Sequence, residues 1–365
     1  MNRRDFLWSS LVAGIAASRG VGAELTRPTV LDFTVPAEEA PHTRTWMCWP
    51  SRPEIYGRST AYFESIQASL ARLATAIAEH EPVRLLAAKK HHALAAELCG
   101  PKVELVDIPT DDMWARDSGP VFVHTKTGAV AVIDFNFNGW GGKQTQREND
   151  EKVAKAIATG LGVPYERAGV VGEGGGLEYD GEGTLLLTDS CWVNDNRNPG
   201  LSQKEIEIEL KRVLGIEKVI WLPGVKGRDI TDGHIDGFLR VVRPGVLMTG
   251  GYPDDRSVWG RTLEEARKIL GSTTDAKGRS FTIVDIPSAT QPRSERMFTG
   301  YANYYVGNGA VYTPQFGDAK ADAFAVAKLG ELYPKRKIVT LEVDRIYQNG
   351  GGIHCVTQQE PAPRS

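Results

Sequence analysis

The chain has 365 residues, of which 41% are hydrophobic and 24% are charged, and its formal net charge is −3. This composition is typical of a globular protein, and the length gives ample material for a core in one large domain or two ordinary ones. The nearly balanced charge and the lack of a basic tract or an aromatic-basic stripe argue against nucleic acid as a partner.

Residues 1–23 have the layout of a cleaved export signal. An arginine pair precedes a mildly apolar run, and small residues lead up to Ala23. The apolar run is too short to cross a membrane, and the segment RRDFL resembles the twin-arginine type of signal. We therefore expect residues 24–365 to form an exported protein, periplasmic or extracellular, with no membrane attachment. The alternative is a disordered basic N-terminus.

Five apolar segments of strand character recur about 60 residues apart, each behind a stretch of helical periodicity. The predicted strands are Val103–Pro109, a weaker one near Val163, Val219–Pro223, Phe281–Pro287 and Ile338–Val343. The predicted helices are Ser59–Glu81, Asn149–Leu161, Ser202–Leu214, Thr262–Leu270 and Asp318–Leu332. Further β segments are predicted at Val121–His124, Thr184–Thr188, Phe238–Val242 and Tyr304–Tyr312.

This alternation indicates repeated α/β units, each too small to bury its own apolar face. Five units that close into a ring would bury those faces against each other. No Pro/Ser-rich linker interrupts the pattern, so we predict one closed domain over residues 24–365.

Polar, glycine-containing loops follow the repeated strands and carry the residues with reactive side chains. The candidates are Asp117 in DDMWARDSGP, Glu173 and Glu178 in GEGGGLEYDGEGT, His234 and Asp236 in DITDGHIDGF, Asn303 in TGYANYYVGNG, and Cys355 in NGGGIHC. Equivalent loops of a ring converge near its axis, so we expect these side chains to meet at one end of it.

A thiolate near a histidine is a nucleophile–base pair. Surrounding carboxylates disfavour a thiolate, but they suit a cationic substrate, and a planar guanidinium matches carboxylates that accept two bonds side by side. Such a cation would also stabilise the thiolate as it binds. The combination therefore indicates attack of sulfur on a guanidinium carbon.

The motifs DDMWARDSGP, FNGWGG, EGGGLEYDGEGTLLLTDSCWVNDNRNPG, TDGHID and NGGGIHCVTQQ together resemble those of the agmatine deiminase and bacterial peptidyl-arginine deiminase family of guanidine-modifying enzymes. The resemblance extends from Pro41 to Pro361. It implies a pentein-type fold, a five-bladed α/β propeller with pseudo-fivefold symmetry. It also implies a cofactor-free cysteine hydrolase without a metal, acting on a small cationic guanidine, and the chain is a possible homo-oligomer.

The resemblance implies a role for each matching position. Cys355 is the expected nucleophile, and His234 is the expected acid for the departing ammonia and base for the incoming water. Asp117 and Asp236 are expected to hold the guanidinium, and Glu173 to orient His234 and contact the same group. Further substrate contacts are expected from Trp114, Glu178, Asn303 and Gly352. The glycine run 350–352 would let the backbone approach the substrate.

The favoured reaction converts agmatine into N-carbamoylputrescine and ammonia, a step of putrescine and polyamine metabolism. One departure is Gly237, where agmatine deiminases often have Asn, and it leaves the recognition of the substrate's far end open. Export would suit an extracellular or protein substrate. The alternatives are therefore a peptidyl-arginine deiminase, an amidinotransferase and a non-catalytic binder of cations on the same fold.

Several residues have a second interpretation. Glu178 either shares the site or is an exposed strand residue, and Trp114 and Trp140 are either substrate walls or core aromatics. His354 is interpreted as a packing group or a support for the site. His234 and Asp236, with Asp229 and Asp232, form an alternative set of metal ligands. The other cysteines, Cys48, Cys99 and Cys191, lack metal or redox spacing and are predicted to be small buried residues.

Overall fold

The structure of the protein is a computed structural model that describes residues 32–57, 59–251, 255–294 and 296–364. The predicted export signal therefore lies outside the described residues. Within them, no helix is both long and apolar enough to cross a membrane.

Sixteen strands of the described chain form five sheets with one shared topology. In each sheet, an inner strand pairs antiparallel with a middle strand. The middle strand pairs parallel with a strand that follows a helix. In chain order the strands are β1 His42–Cys48, β2 Val83–Leu86, β3 Val103–Val106, β4 Val121–His124, β5 Val130–Asp134, β6 Tyr165–Arg167, β7 Glu178–Tyr179, β8 Thr184–Thr188, β9 Lys218–Leu222, β10 Leu239–Arg243, β11 Val246–Thr249, β12 Thr282–Asp285, β13 Tyr305–Val306, β14 Ala310–Pro314, β15 Lys337–Leu341 and β16 Gln358–Pro361.

Helices connect the parallel strands and cover the sheets, while shorter helical turns lie in the loops. In chain order they are α1 Pro53–Tyr56, α2 Thr60–Ala78, α3 His92–Cys99, α4 Ala115–Ser118, α5 Gly139–Gly142, α6 Val153–Leu161, α7 Asp189–Trp192, α8 Gln203–Leu214, α9 Val258–Gly271, α10 Ala319–Leu332 and α11 Asp344–Tyr347. The 3₁₀ turns are Lys89–His91, Asp150–Lys152, Gly174–Gly176 and Ile235–Gly237. Side-chain caps begin several of the α-helices. On α8, for example, Ser202 and Glu205 form a capping box.

The last strand closes the ring. Strand β16 pairs with β1 in the first sheet, with Trp46 opposite Gln358, so the two ends of the described chain share one blade. The inner strands of neighbouring blades contact each other. Arg240 on β10 donates to Glu178 on β7 at 2.6 Å, and Gln359 on β16 donates to Tyr179 on β7 at 3.3 Å.

The five-bladed α/β propeller is confirmed, and all five predicted helices differ from the observed ones by only a few residues at their ends. The first unit was wrong in one respect. The helix ahead of Val103 is α3, and helix α2 leads instead to β2, which the sequence patterns did not reveal. The first blade therefore has a fourth strand. All four cysteines are buried and unpaired, as predicted for Cys48, Cys99 and Cys191.

Candidate active site

The reactive residues lie on the connections that run from one blade to the next. Each connection leaves the outer strand of one sheet and enters the inner strand of the following sheet, so all five deliver their residues to the centre of the ring. These residues are Asp117 before β4, Glu173 before β7, His234 and Asp236 before β10, Asn303 before β13, and Cys355 before β16. The convergence expected from the repeat is therefore present.

Cys355 is buried with its sulfur against two of these residues. Its Sγ lies 3.5 Å from Asp236 Oδ2 and accepts a hydrogen bond from Asn303 Nδ2 at 3.2 Å. Asn303 also donates to the Asp236 carbonyl at 3.2 Å. On the other side, the Cys355 carbonyl accepts from the Arg116 amide at 3.0 Å. The nucleophile loop is thus fixed to two neighbouring connections.

His234 lies between two carboxylates. Its Nε2 donates to Glu173 Oε2 at 3.1 Å, and its Nδ1 lies 3.8 Å from Asp117 Oδ1. Burial lowers the pKa of His234, but the Asp117 charge and the Glu173 hydrogen bond outweigh it and raise that pKa to about 9. The imidazole is therefore a cation at neutral pH.

Glu173 is held in place by Arg197, a residue that was not singled out from the sequence. The Arg197 Nε atom donates to both Glu173 carboxylate oxygens at 2.9 Å, and its Nη1 donates to Asp232 at 2.9 Å. Although burial favours the neutral acid, Arg197 and His234 hold the pKa of Glu173 below its ordinary value. Asp232 therefore forms ion pairs with two side chains of the protein, Arg197 and Lys143, whose Nζ lies 2.8 Å from it.

Asp117 and Asp236 are the two carboxylates nearest the reacting atoms, and their surroundings differ. Asp117 accepts from Trp140 Nε1 at 2.9 Å and from the Gly175 amide at 3.1 Å, and burial raises its pKa to about 6. Asp236 accepts from His354 Nδ1 at 2.7 Å. Burial would raise the pKa of Asp236, but the His354 hydrogen bond keeps it below its ordinary value.

The Cys355 thiol is neutral in this setting. Burial raises its pKa well above the ordinary value, and the Asp236 and Asp117 charges raise it further. An arriving cation would reverse the electrostatic part of this shift, because it neutralises the two carboxylates next to the sulfur.

Three glycines are required where the backbone approaches the site. A Cβ on Gly351 would lie 2.5 Å from the Trp114 ring and 3.2 Å from Cys355 Sγ, so this glycine separates the two side chains. A Cβ on Gly352 would lie 2.5 Å from Asn303 Oδ1. A Cβ on Gly175 would lie 2.7 Å from His234 Nδ1 and 2.8 Å from Asp117 Oδ1. Gly175 was not predicted, although its glycine run was noticeable in the sequence.

The structure directs the carboxylate of Glu178 to a neighbouring network. The exposed-strand interpretation is wrong, since Glu178 is buried on β7. Its oxygens accept from Arg240 Nε at 2.6 Å and from the Val241 amide at 2.7 Å, so its substrate contact stays a prediction. Trp140 is a buried aromatic that also donates to Asp117. Among the described residues, no group of His, Cys, Asp and Glu side chains is arranged to hold a metal ion.

Comparison with known proteins places this arrangement in a family. The profile of the Porphyromonas-type peptidyl-arginine deiminases matches residues 34–361. The chain belongs to this family. It is 38% identical to the agmatine deiminase of Ectopseudomonas mendocina, in an alignment that covers 93% of this chain and 98% of that protein.

Solved structures of agmatine deiminases superpose closely on this chain. An agmatine deiminase of Enterococcus faecalis has a TM-score of 0.84 and 29% identity, covering 90% of this chain and 96% of that one. A substrate-bound C. jejuni agmatine deiminase with a cysteine replaced by serine has a TM-score of 0.80 and 25% identity, covering 91% and 97% of the two chains. The similarity thus spans the whole propeller.

Proposed function

We propose that the protein is an agmatine deiminase that hydrolyses the guanidinium of agmatine to give N-carbamoylputrescine and ammonia. The observation that carries this proposal is one cluster of side chains. It joins a buried thiol, a histidine cation and the carboxylates of Asp117, Glu173 and Asp236. The relatives named agmatine deiminase support the choice of substrate, because they align with nearly the full chain.

In the first half of the reaction, Cys355 takes up the amidino group of the substrate. The guanidinium enters between Asp117 and Asp236, and its charge lowers the thiol pKa so that the thiol proton leaves to solvent. The thiolate then forms a bond to the guanidinium carbon. The His234 imidazolium gives its proton to one amino group, the C–N bond breaks, and ammonia departs. An amidino-thioether on Cys355 remains.

In the second half, the now neutral His234 takes a proton from water, and the hydroxide forms a bond to the same carbon. Collapse of this adduct breaks the C–S bond, and the hydroxyl proton returns to the sulfur. The products are the substituted urea and the free thiol, with His234 again protonated. Glu173, fixed by Arg197, holds the ring in place through both proton transfers.

The substrate is tested by ammonia release from agmatine, free arginine and a blocked peptidyl-arginine, each with wild type and Cys355→Ala. We expect release from agmatine that disappears in the variant. Release from the peptide alone would replace this proposal by protein citrullination, which the family description and an exported location favour. Transfer of the amidino group to an added amine would indicate an amidinotransferase. Agmatine binding without turnover would leave a binding protein.

We further propose that the enzyme is exported by the twin-arginine route, with residues 1–23 removed. The sequence of this segment supports the proposal. Cell fractionation of the full chain and of an Arg3→Lys/Arg4→Lys variant tests it. We expect the wild type in the exported fraction and the variant inside the cell, and equal distribution of the two would contradict the proposal.

A further inference from the structure

His354 bridges the buried carboxylate of Asp236 and the largely covered carboxylate of Glu38, directly beside the nucleophile. Its Nδ1 atom lies 2.7 Å from Asp236 Oδ2, and its Nε2 atom lies 2.8 Å from Glu38 Oε2. The His354 side chain is only 2% exposed. Neither contact is part of the reaction derived above.

Glu38 comes from the opposite end of the chain, 316 positions before His354. It lies in the N-terminal segment, residues 32–41, which precedes β1. Its Oε1 accepts from the Val306 amide at 3.0 Å, and its Oε2 also accepts from Arg240 Nη2 at 2.5 Å. Glu38 is therefore fixed by β10 and β13 before it reaches the nucleophile loop.

Both ring nitrogens of His354 face carboxylate oxygens, and an ionised carboxylate only accepts, so with Asp236 and Glu38 both ionised both ring nitrogens donate. An imidazole has two donors only as a cation, because the neutral ring keeps one nitrogen as an acceptor. The geometry therefore places a positive charge against Asp236, on the side of its contact with Cys355.

We propose that Glu38 and His354 are positioning residues of the reaction, with Glu38 anchoring His354 as a cation that keeps Asp236 ionised and aimed at the guanidinium. This rests on the proposed function, since it assigns Asp236 to the substrate cation. Neither Glu38 nor His354 touches the reacting atoms in this account; both act through Asp236.

The charged groups around the bridge are consistent with this role. His234, Cys355 and Asp117 face Asp236 from the other connections, and Arg240 acts on it from β10. Glu38 is faced by Arg240, His354 and Arg116, with Glu178 and the hydroxyls of Tyr179, Tyr304, Tyr305 and Tyr333 near it. Burial alone would raise the Glu38 pKa, but the cations hold it well below its ordinary value.

The test measures alkylation of Cys355 across pH by two reagents: 2-chloroacetamidine, which is cationic, and iodoacetamide, which is neutral. Intact mass follows the rate of each alkylation. The rate with the cationic reagent divided by the rate with the neutral one reports whether the carboxylates beside the sulfur are ionised. His354→Asn keeps a donor near the Nδ1 position but removes the charge. We expect the pH at which this rate ratio falls on the acid side, its acid limb, to rise by about one unit. Below that pH, the ratio should be about tenfold smaller than in the wild type.

Glu38→Gln keeps the side-chain shape and releases the imidazolium, so we expect a shift in the same direction. Two matched variants serve as controls: His124→Asn, a buried histidine bonded to the Ala362 carbonyl, and Glu360→Gln, a buried carboxylate bonded to Trp46. Both should keep the wild-type acid limb. Thermal melting of each variant verifies its fold, and Glu38→Gln decides the question if His354→Asn does not fold.

An unchanged acid limb and rate ratio in both His354→Asn and Glu38→Gln would overturn the bridge. The same shift in the two controls would also overturn it, because the effect would then be structural. Agmatine turnover is measured on the same wild-type preparation. Failure of turnover would remove the proposed function, while the alkylation profiles would still decide the role of the bridge.

Discussion

At the scale of single residues, the site combines groups whose pKa values are pushed apart. Burial, together with the Asp236 and Asp117 charges, raises the pKa of the Cys355 thiol, while Asp117 and Glu173 raise the pKa of His234. Asp117 and Asp236 are also the expected seat of the substrate cation. We therefore expect the thiolate to form when the substrate cation binds.

The first prediction concerns pH. Asp117, whose pKa is about 6, must be ionised to hold the guanidinium, and His234, whose pKa is about 9, must be protonated to release ammonia. The value of kcat/KM reports the free enzyme, whose thiol must still lose its proton, so it should rise with pH between about 6 and about 9, fall more steeply below about pH 6, and stop rising near pH 9. Initial rates with agmatine across pH provide the measurement. A profile that keeps rising well beyond pH 9 would contradict the assignment of His234 as the acid.

The second prediction concerns Gly175. An added methyl group would meet His234 Nδ1 at 2.7 Å and Asp117 Oδ1 at 2.8 Å, so Gly175→Ala should displace both side chains. We expect kcat/KM to fall about 100-fold, the effect of a misplacement of about 1 Å. The control is Gly160→Ala, where the added methyl meets nothing within 4 Å. Equal activity of the two variants would contradict the packing described for the site.

At the scale of elements, the loop between α7 and α8 serves as a clamp. Arg197 in this loop is fully buried and binds Glu173 and Asp232 together. Arg197 lies in one of the motifs that carry the family resemblance. Its role depends on contacts with Glu173 and Asp232, which are 24 and 35 positions away in the sequence.

The third prediction follows from that burial. Arg197→Met should lower the free energy of unfolding by about 3–5 kcal/mol, because it removes the buried cation that two buried carboxylates share. Urea denaturation measures the change. Arg212→Met removes a partly exposed arginine that pairs with Glu166 and Glu209 on the surface, and we expect a loss of about 1 kcal/mol or less. A similar small loss for Arg197 would show that the clamp is not needed.

The sequence predicted those elements that are long or that carry local chemistry. Helix α8 has regular apolar spacing and its own capping box, and its predicted end at Leu214 is confirmed. Strand β7 has only two residues, too short for a periodic signal. The single segment predicted over Tyr304–Tyr312 is in fact two strands, β13 and β14. The bridge from Glu38 to His354 was missed for a different reason: its partners are 316 positions apart, and no local pattern encodes such a contact.

At the scale of the whole molecule, closure of the ring and assembly of the site are one event. Strand β16 begins three residues after Cys355 and pairs with β1, so the closing strand also fixes the nucleophile. The N-terminal segment supplies Glu38 from the other end of the chain. We infer that a propeller that has not closed lacks a competent site.

The fourth prediction tests this link. A chain ending at Thr357 lacks β16, including the buried bond from Trp46 Nε1 to Glu360 at 2.8 Å. We expect it to lose at least about 3 kcal/mol of unfolding free energy, the contribution of a few ladder hydrogen bonds, and to lose activity. A chain ending at Ala362 retains β16 and is the control. Full activity without β16 would contradict the coupling of closure to the site.

The mechanism requires a covalent intermediate between Cys355 and the guanidinium carbon of agmatine. It is tested most directly by acid quenching during agmatine turnover, followed by intact mass and peptide mapping of wild type and Cys355→Ala. We predict a wild-type species heavier by one agmatine less one ammonia, located on Cys355, and neither adduct nor ammonia release in the variant. Ammonia release that persists in Cys355→Ala would contradict the mechanism.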